Sequence, residues 1–166
     1  MAEVEQTVIR PAAPADAAAM GRLGELLVRM HHDFDPQRFL EPTPQTAQGY
    51  GAFLGRQIGE PDAIIIVAER DGTVIGYAYG SVEGYDYMSL RGPAGALQDI
   101  VVDPTCRRQG VGRMLLDAII AALEARGVPR TLLSTAVRNE AAQHLFASVG
   151  FRPTMIEMTK ETTERA

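Results

Sequence analysis

Residues 97–113 read LQDIVVDPTCRRQGVGR. Leu97 to Val102, ending in the β-branched Ile100-Val101-Val102 and closed by Asp103-Pro104, predicts a strand and its exit. Beyond the loop Arg107-Arg108-Gln109-Gly110-Val111-Gly112, the residues Val111, Met114, Leu115, Ala118, Ile119, Ala122 and Leu123 keep helical spacing as far as Gly127 and Pro129. The stretch therefore predicts a strand, a tight loop and an amphipathic helix. At a helix start several backbone N–H groups have no acceptor in the chain and share the positive end of the dipole, so the loop is an anion site. Gly110 and Gly112 let backbone approach a phosphate, and Arg107, Arg108 and Arg113 place positive charge at its rim. A short glycine pattern alone would mean no more than a turn, but three arginines in seven residues at a strand-to-helix junction favour pyrophosphate. A P-loop would need a lysine followed by Ser or Thr, which is absent. A dinucleotide fingerprint would need a third glycine where Leu115 stands.

Upstream, Val8-Ile9-Arg10 predicts a short strand ended by Pro11, and Pro14-Ala15-Asp16 opens a helix carrying Met20, Leu23, Leu26, Leu27 and Met30 on one face. After the breakers Pro36, Pro42 and Pro44 a weaker helix is expected from about Thr46 to Ile58, with Gly49, Gly51 and Gly55 counting against it. Ala63 to Ala68 and Val74 to Tyr79, joined through Asp71-Gly72, predict a hairpin. Downstream come a strand over Leu132 to Val137, a helix over Asn139 to Val149 ended by Gly150, and a last strand over Met155 to Thr159. The order predicts an α/β (α+β) fold in which a mixed, mostly antiparallel sheet carries helices on its faces.

The chain has 166 residues, with 46% hydrophobic and 22% charged, so one folded domain over residues 1–166 is expected and disorder is not. A net charge of -5 speaks against a nucleic-acid partner and favours a cationic substrate such as an amine. The lone Cys106 excludes an internal disulfide, and its expected role is packing. Apolar runs such as Ala63–Ala68 are too short for a bilayer, and the first residues carry acid where a secretion signal needs base. The expectation is a cytoplasmic protein with no membrane partner. His31 and His32 beside Asp33 and Asp35 lack further ligand spacing, so no metal is expected.

With Arg107, Gly110 and Gly112 matching its phosphate-loop pattern, the chain resembles the GCN5-related N-acetyltransferase (GNAT) superfamily. The run Leu97 to Pro104 looks like the family's central strand and exit. A second signature, an asparagine opening a helix that ends in Gly-Phe, is matched by Asn139, Ala142, Leu145, Phe146, Gly150 and Phe151. The resemblance implies acetyl-coenzyme A as cosubstrate and a V-shaped cleft where the central strand splays from the strand after it. The backbone of Ile100, Val101 and Val102 would pair with pantetheine, residues Arg107, Arg108, Gln109, Gly110, Val111, Gly112 and Arg113 would hold the pyrophosphate, and Asn139, with Ala142 and Phe146, would line the cofactor arm. The amine attacks the thioester directly, and a backbone N–H of Val101 or Val102 would meet the oxyanion.

For the base, Asp99 is the first candidate, because the family often uses a central-strand carboxylate. An aspartate in mid-strand also needs a reason, although bonding a neighbouring loop would be one. Glu83 is the second candidate. Phe146 stands where the family often has a tyrosine acid, so Tyr85, Tyr87 or water would have to protonate the thiolate. A catalytically weak acyl-coenzyme A-binding module is the alternative. Asp33, Asp35, Tyr85 and Tyr87 are candidates for contacting the amine. A homodimer is expected, since small domains of this kind commonly pair through sheet edges or helices.

Overall fold

In the computed structural model, which describes residues 6–162, the chain builds a five-stranded sheet with helices on both faces. The elements are β1 (Val8–Pro11), α1 (Ala17–Phe34), α2 (Thr46–Gln57), β2 (Ala63–Arg70), β3 (Thr73–Glu83), β4 (Ala94–Val102), α3 (Val111–Glu124), β5 (Thr131–Leu133) and α4 (Glu140–Ser148). Strand order follows the chain, antiparallel from β1 to β4 and parallel between β4 and β5. The predicted hairpin forms, with Asp71 and Gly72 both at positive φ, 49° and 73°, as a tight two-residue turn requires. Among the described residues no helix is long and apolar enough to cross a membrane.

Two apolar cores sandwich the sheet. Leu115, Leu116, Ile119 and Leu123 of α3 pack on Ile66, Ala68, Ile75, Ala78 and Leu97. On the opposite face Met20, Leu23 and Leu54 of α1 and α2 cover Ile65, Val67, Tyr77 and Val101. Near the start of the chain Arg10 reaches the buried Asp16 at 2.8 Å and Glu69 at 2.5 Å, fastening β1 to the entrance of α1.

One expected element forms in full and two others depart from expectation. Helix α2 is complete over twelve residues despite its glycines. A Cβ on Gly51 would lie 2.6 Å from Ala17 O, and one on Gly21 would lie 2.2 Å from Ala47 O, so these glycines are where the two helices touch. Intrinsic propensity is overridden by a packing contact that only glycine permits. The strand expected over Leu132 to Val137 is confined to Thr131–Leu133, paired with Gly95–Leu97. It stops where the β3–β4 register breaks: Tyr79 faces Asp99 and Gly80 faces Leu97, leaving Gln98 as an extra residue. Such a bulge bends its strand, and from that point β4 loses β5 as a neighbour. The strand expected over Met155 to Thr159 does not form. The segment is exposed and pairs with no described strand.

Candidate active site

The parting of β4 and β5 leaves a cavity of about 330 Å³ between the sheet, α1, α2 and α4. Its sheet wall is Leu97, Gln98, Asp99 and Ile100; Leu133, Ser134 and Thr135 face them, and Asn139, Ala142 and Phe146 of α4 close the far side. The bulge decides which way the carboxylate points. Leu97 packs under α3, so strict alternation would send Asp99 there too. The extra residue flips the phase and turns Asp99 to the α1–α2 face.

There the Asp99 carboxylate meets two tyrosines. Tyr77 donates to Oδ2 at 2.8 Å, and Tyr50, from α2, donates to the same oxygen in a short hydrogen bond. Burial pushes the Asp99 carboxyl above the usual carboxylate range, while the tyrosine hydrogen bonds and the nearby His31 pull it partly back. Burial and the Asp99 charge raise both phenols, so they remain protonated donors at neutral pH. Tyr50 can reach because Gly24 leaves room: a Cβ there would stand 2.3 Å from the ring.

His31 also lines the cavity. Its Nδ1 lies 2.8 Å from Leu27 O, which can only accept, so Nδ1 carries a proton and donates it to that bond. Phe34 and Phe39 hold the ring edge-on. Nothing in the sequence pattern singled out Tyr50, Tyr77 or His31 as partners of Asp99. Tyr50 sits 49 residues from it, in the helix that composition disfavours.

The open edge of β4 can be read from its alternation. Asp103 N–H donates to Ile75 O at 2.8 Å, so Val101, two residues back, also turns its backbone groups to β3, whereas Ile100 and Val102 turn theirs to the cleft. Arg107 Nε reaches Val102 O at 3.3 Å on that side. Val101 is therefore excluded as a backbone donor, because its N–H serves the sheet. Next in the chain, Asp103 Oδ1 accepts from Thr105 N–H and Oγ–H at 2.8 and 2.6 Å, folding the turn before the loop. Arg108 and Gly110 have positive φ of 62° and 82°, and Gly110 caps α3 with its Cβ direction open. The N–H groups of Val111, Gly112 and Arg113 are free of intrahelical acceptors. Gln109 is braced by Arg70 at 2.7 Å, and Arg113 is drawn along α3 to Asp117.

Across the cleft, Asn139 Oδ1 caps α4 by accepting from Ala142 N–H at 3.2 Å, leaving its amide NH₂ to donate. Phe146 is buried against Phe151, with no hydroxyl to offer. The remaining candidates stand away from this cavity. Glu83 is ion-paired with Arg91 and accepts from Gln98 at 2.8 Å. Asp35 closes a turn on the N–H groups of Gln37 and Arg38, and Asp33 is exposed. Tyr85 and Tyr87 are 75% and 81% exposed.

The sequence profile of the Acetyltransferase (GNAT) family matches residues 27–151, three quarters of the chain. The chain belongs to the GNAT family. A mycothiol acetyltransferase of Thermobispora bispora is 38% identical over 105 residues, which are 59% of this chain and 34% of that protein. The chain thus spans about a third of the length of that relative. Among solved structures, a mutant of the BH1408 protein from Bacillus halodurans superposes with a TM-score of 0.81 at 20% identity, covering 94% of this chain and 99% of that one. The aminoglycoside N-acetyltransferase AAC(6')-Iy in complex with CoA gives 0.73 at 18% identity, covering 98% of both chains. At such identities the structures speak for the fold alone.

Proposed function

We propose that the chain is an N-acetyltransferase that moves the acetyl group of acetyl-coenzyme A to a primary amine, of a small molecule or a peptide. The observation that carries the reading is the placing of a half-buried carboxylate, Asp99, held by two tyrosines, on the same strand whose open edge leads into the glycine and arginine loop. The loop N–H groups with Arg107 and Arg108 suit a pyrophosphate, and the free edges of Ile100 and Val102 suit the pantetheine amides. When bound, acetyl-coenzyme A supplies the thioester carbonyl that the amine attacks.

Asp99 takes the ammonium proton, directly or through a water, and its raised affinity for protons suits it to that task. The outward N–H of Val102 or Ile100 receives the oxyanion. Phe146 gives no proton and Tyr85 and Tyr87 stand outside the cavity, so solvent protonates the thiolate. A thiol pKa of about 8.5 makes that leaving group tolerable. GNAT relatives named for mycothiol and for aminoglycosides share acetyl transfer but not an acceptor, and here the acceptor side of the cavity is built from the α1–α2 region. A cytoplasmic, single-domain homodimer completes the reading. The buried Phe146 favours one second reading, an acyl-coenzyme A-binding module without turnover.

Thermal-shift titration with acetyl-coenzyme A, on wild type and Gly110→Glu, tests the loop. A side chain at φ 82° adds about 1–2 kcal/mol of strain without a clash, so the variant folds. Stabilisation of wild type alone supports the site, and thiol release with an amine panel then separates enzyme from binding module. Equal response of both proteins would remove the phosphate-loop assignment.

A further inference from the structure

Gln98, the extra residue of the β4 bulge, lines the cavity beside Asp99. On β3, Ser81 and Glu83 continue the alternation that puts Tyr77 and Tyr79 on the α1–α2 face, and Gln98 reaches both of them. The bulge thus stands two consecutive side chains, Gln98 and Asp99, next to each other on one face, which a regular strand would not do.

The Gln98 amide is fixed by its neighbours. Its Nε2 donates to Ser81 Oγ at 2.9 Å and to Glu83 Oε1 at 2.8 Å, which uses both hydrogens of the group. Neither neighbour lets the amide turn over. The Glu83 carboxylate only accepts, and the Ser81 hydroxyl directs its own proton to Glu83 at 3.2 Å. Glu83 is held in turn by its ion pair with Arg91. Ser81 and Glu83 lie outside the cavity lining, so the nitrogen end of the amide leaves the cavity and the carbonyl oxygen is left to it.

We propose that Gln98 selects a primary amine as acceptor, its carbonyl oxygen holding one N–H of the attacking nitrogen while Asp99 takes the proton of another, with Glu83 as the positioning residue that aims it. The inference rests on the acetyl-transfer reading. An uncharged carboxamide accepts a hydrogen bond without competing for the proton that Asp99 takes. The ammonium group gives one proton to Asp99, and the freed lone pair bonds the thioester carbon as the C–S bond breaks. A second proton leaves to solvent while solvent protonates the thiolate, and the third N–H, the one Gln98 holds, stays in the amide product. A secondary amine must give up both of its N–H groups, so nothing remains for Gln98, and a site built around a hydrogen bond rejects the analogue that cannot make it.

The experiment measures thiol release with benzylamine, a peptide with a free N-terminus and an aminoglycoside, each beside its N-methyl counterpart, on wild type, Gln98→Met and Glu83→Gln. The readout is the ratio of kcat/KM for the primary amine to that for its N-methyl form. The ratio should fall about tenfold in Gln98→Met. It should fall about twofold or more in Glu83→Gln, whose new carboxamide can donate as well as accept and so frees Gln98 to turn over. A purely structural role would lower both amines together and leave the ratio alone. Retention of the acetyl-coenzyme A thermal shift shows that a variant is folded, and if Gln98→Met is not, Glu83→Gln decides. An unchanged ratio in folded, active variants, or a wild type that turns over both forms equally, overturns the assignment and leaves the acetyl-transfer reading standing. A wild type that releases no thiol with any of these amines overturns both.

Discussion

Gly24→Ala tests the chain of contacts that seats the Asp99 carboxylate. The new methyl would lie 2.3, 2.5 and 2.7 Å from three carbons of the Tyr50 ring. Carbon atoms rest at roughly 3.5–4.0 Å, so the ring must withdraw by about 1 Å or more, taking its hydroxyl off Asp99. Overpacking of this kind costs about 1–3 kcal/mol, and at roughly 2–4 °C per kcal/mol for a chain of this size Tm falls by about 2–12 °C. A hydrogen bond to a charged group contributes about 1.5–3 kcal/mol, so kcat/KM for amine acetylation should drop about tenfold to a hundredfold. Acetyl-coenzyme A affinity should hold within about twofold, since binding rests on the loop and the β4 edge beyond the reach of Gly24. Tyr50→Phe supplies the companion measurement. In that background Gly24→Ala should still lower Tm yet remove little further activity. Activity loss of equal size in both backgrounds, or loss that tracks acetyl-coenzyme A affinity, would refute the reasoning.

Asp99→Asn should lower kcat/KM by about a hundredfold to ten-thousandfold, as removal of a general base does, with acetyl-coenzyme A binding kept. It should also raise Tm at pH 7. The folded carboxyl binds its proton more tightly than the unfolded one, so wild-type stability falls as pH rises from the unfolded pKa of about 3.9 through the folded value, and Asn removes that penalty. The gain should vanish below about pH 4 in thermal melts. Arg10→Ala should destabilise by about 1.5–3 kcal/mol at pH 7 by stranding Asp16. The guanidinium hydrogen bond holds the Asp16 carboxyl below its usual range, so the loss is complete above the unfolded pKa of about 3.9 and should shrink as pH falls through the folded value.

Local signals were readable where one segment settles its own structure. Asp71-Gly72 forces the hairpin, and the glycine and arginine loop needs only the strand before it and the helix after it. What escaped were the properties settled between distant segments. Gly51 weakens an isolated helix, and only its meeting with Ala17 and Gly21 turns that weakness into a contact. Asp99 was legible as an oddity in a strand, but its partners Tyr50 and Tyr77 are brought to it by helix packing and by sheet register. Met155 to Thr159 has a strand's composition, and a strand needs an edge, which no periodicity can supply. Glu83, Tyr85 and Tyr87 drew notice by residue type and by lying at or just past the end of β3, and none of them lines the cavity.

Because of the one unpaired residue at Gln98, β4 speaks to two audiences. Up to Leu97 its odd positions answer to α3, and beyond it the odd positions Asp99 and Val101 answer to α1 and α2. Acceptor-side changes at Asp99 and its helical partners can thus accumulate while the α3 layer, and with it the helix that opens on the phosphate loop, stays as it is. Deleting Gln98 would make Leu97 and Asp99 consecutive, leaving the carboxylate on the α1–α2 face by plain alternation while removing the bend that parts β4 from β5, so the cleft and not the carboxylate's side would be lost.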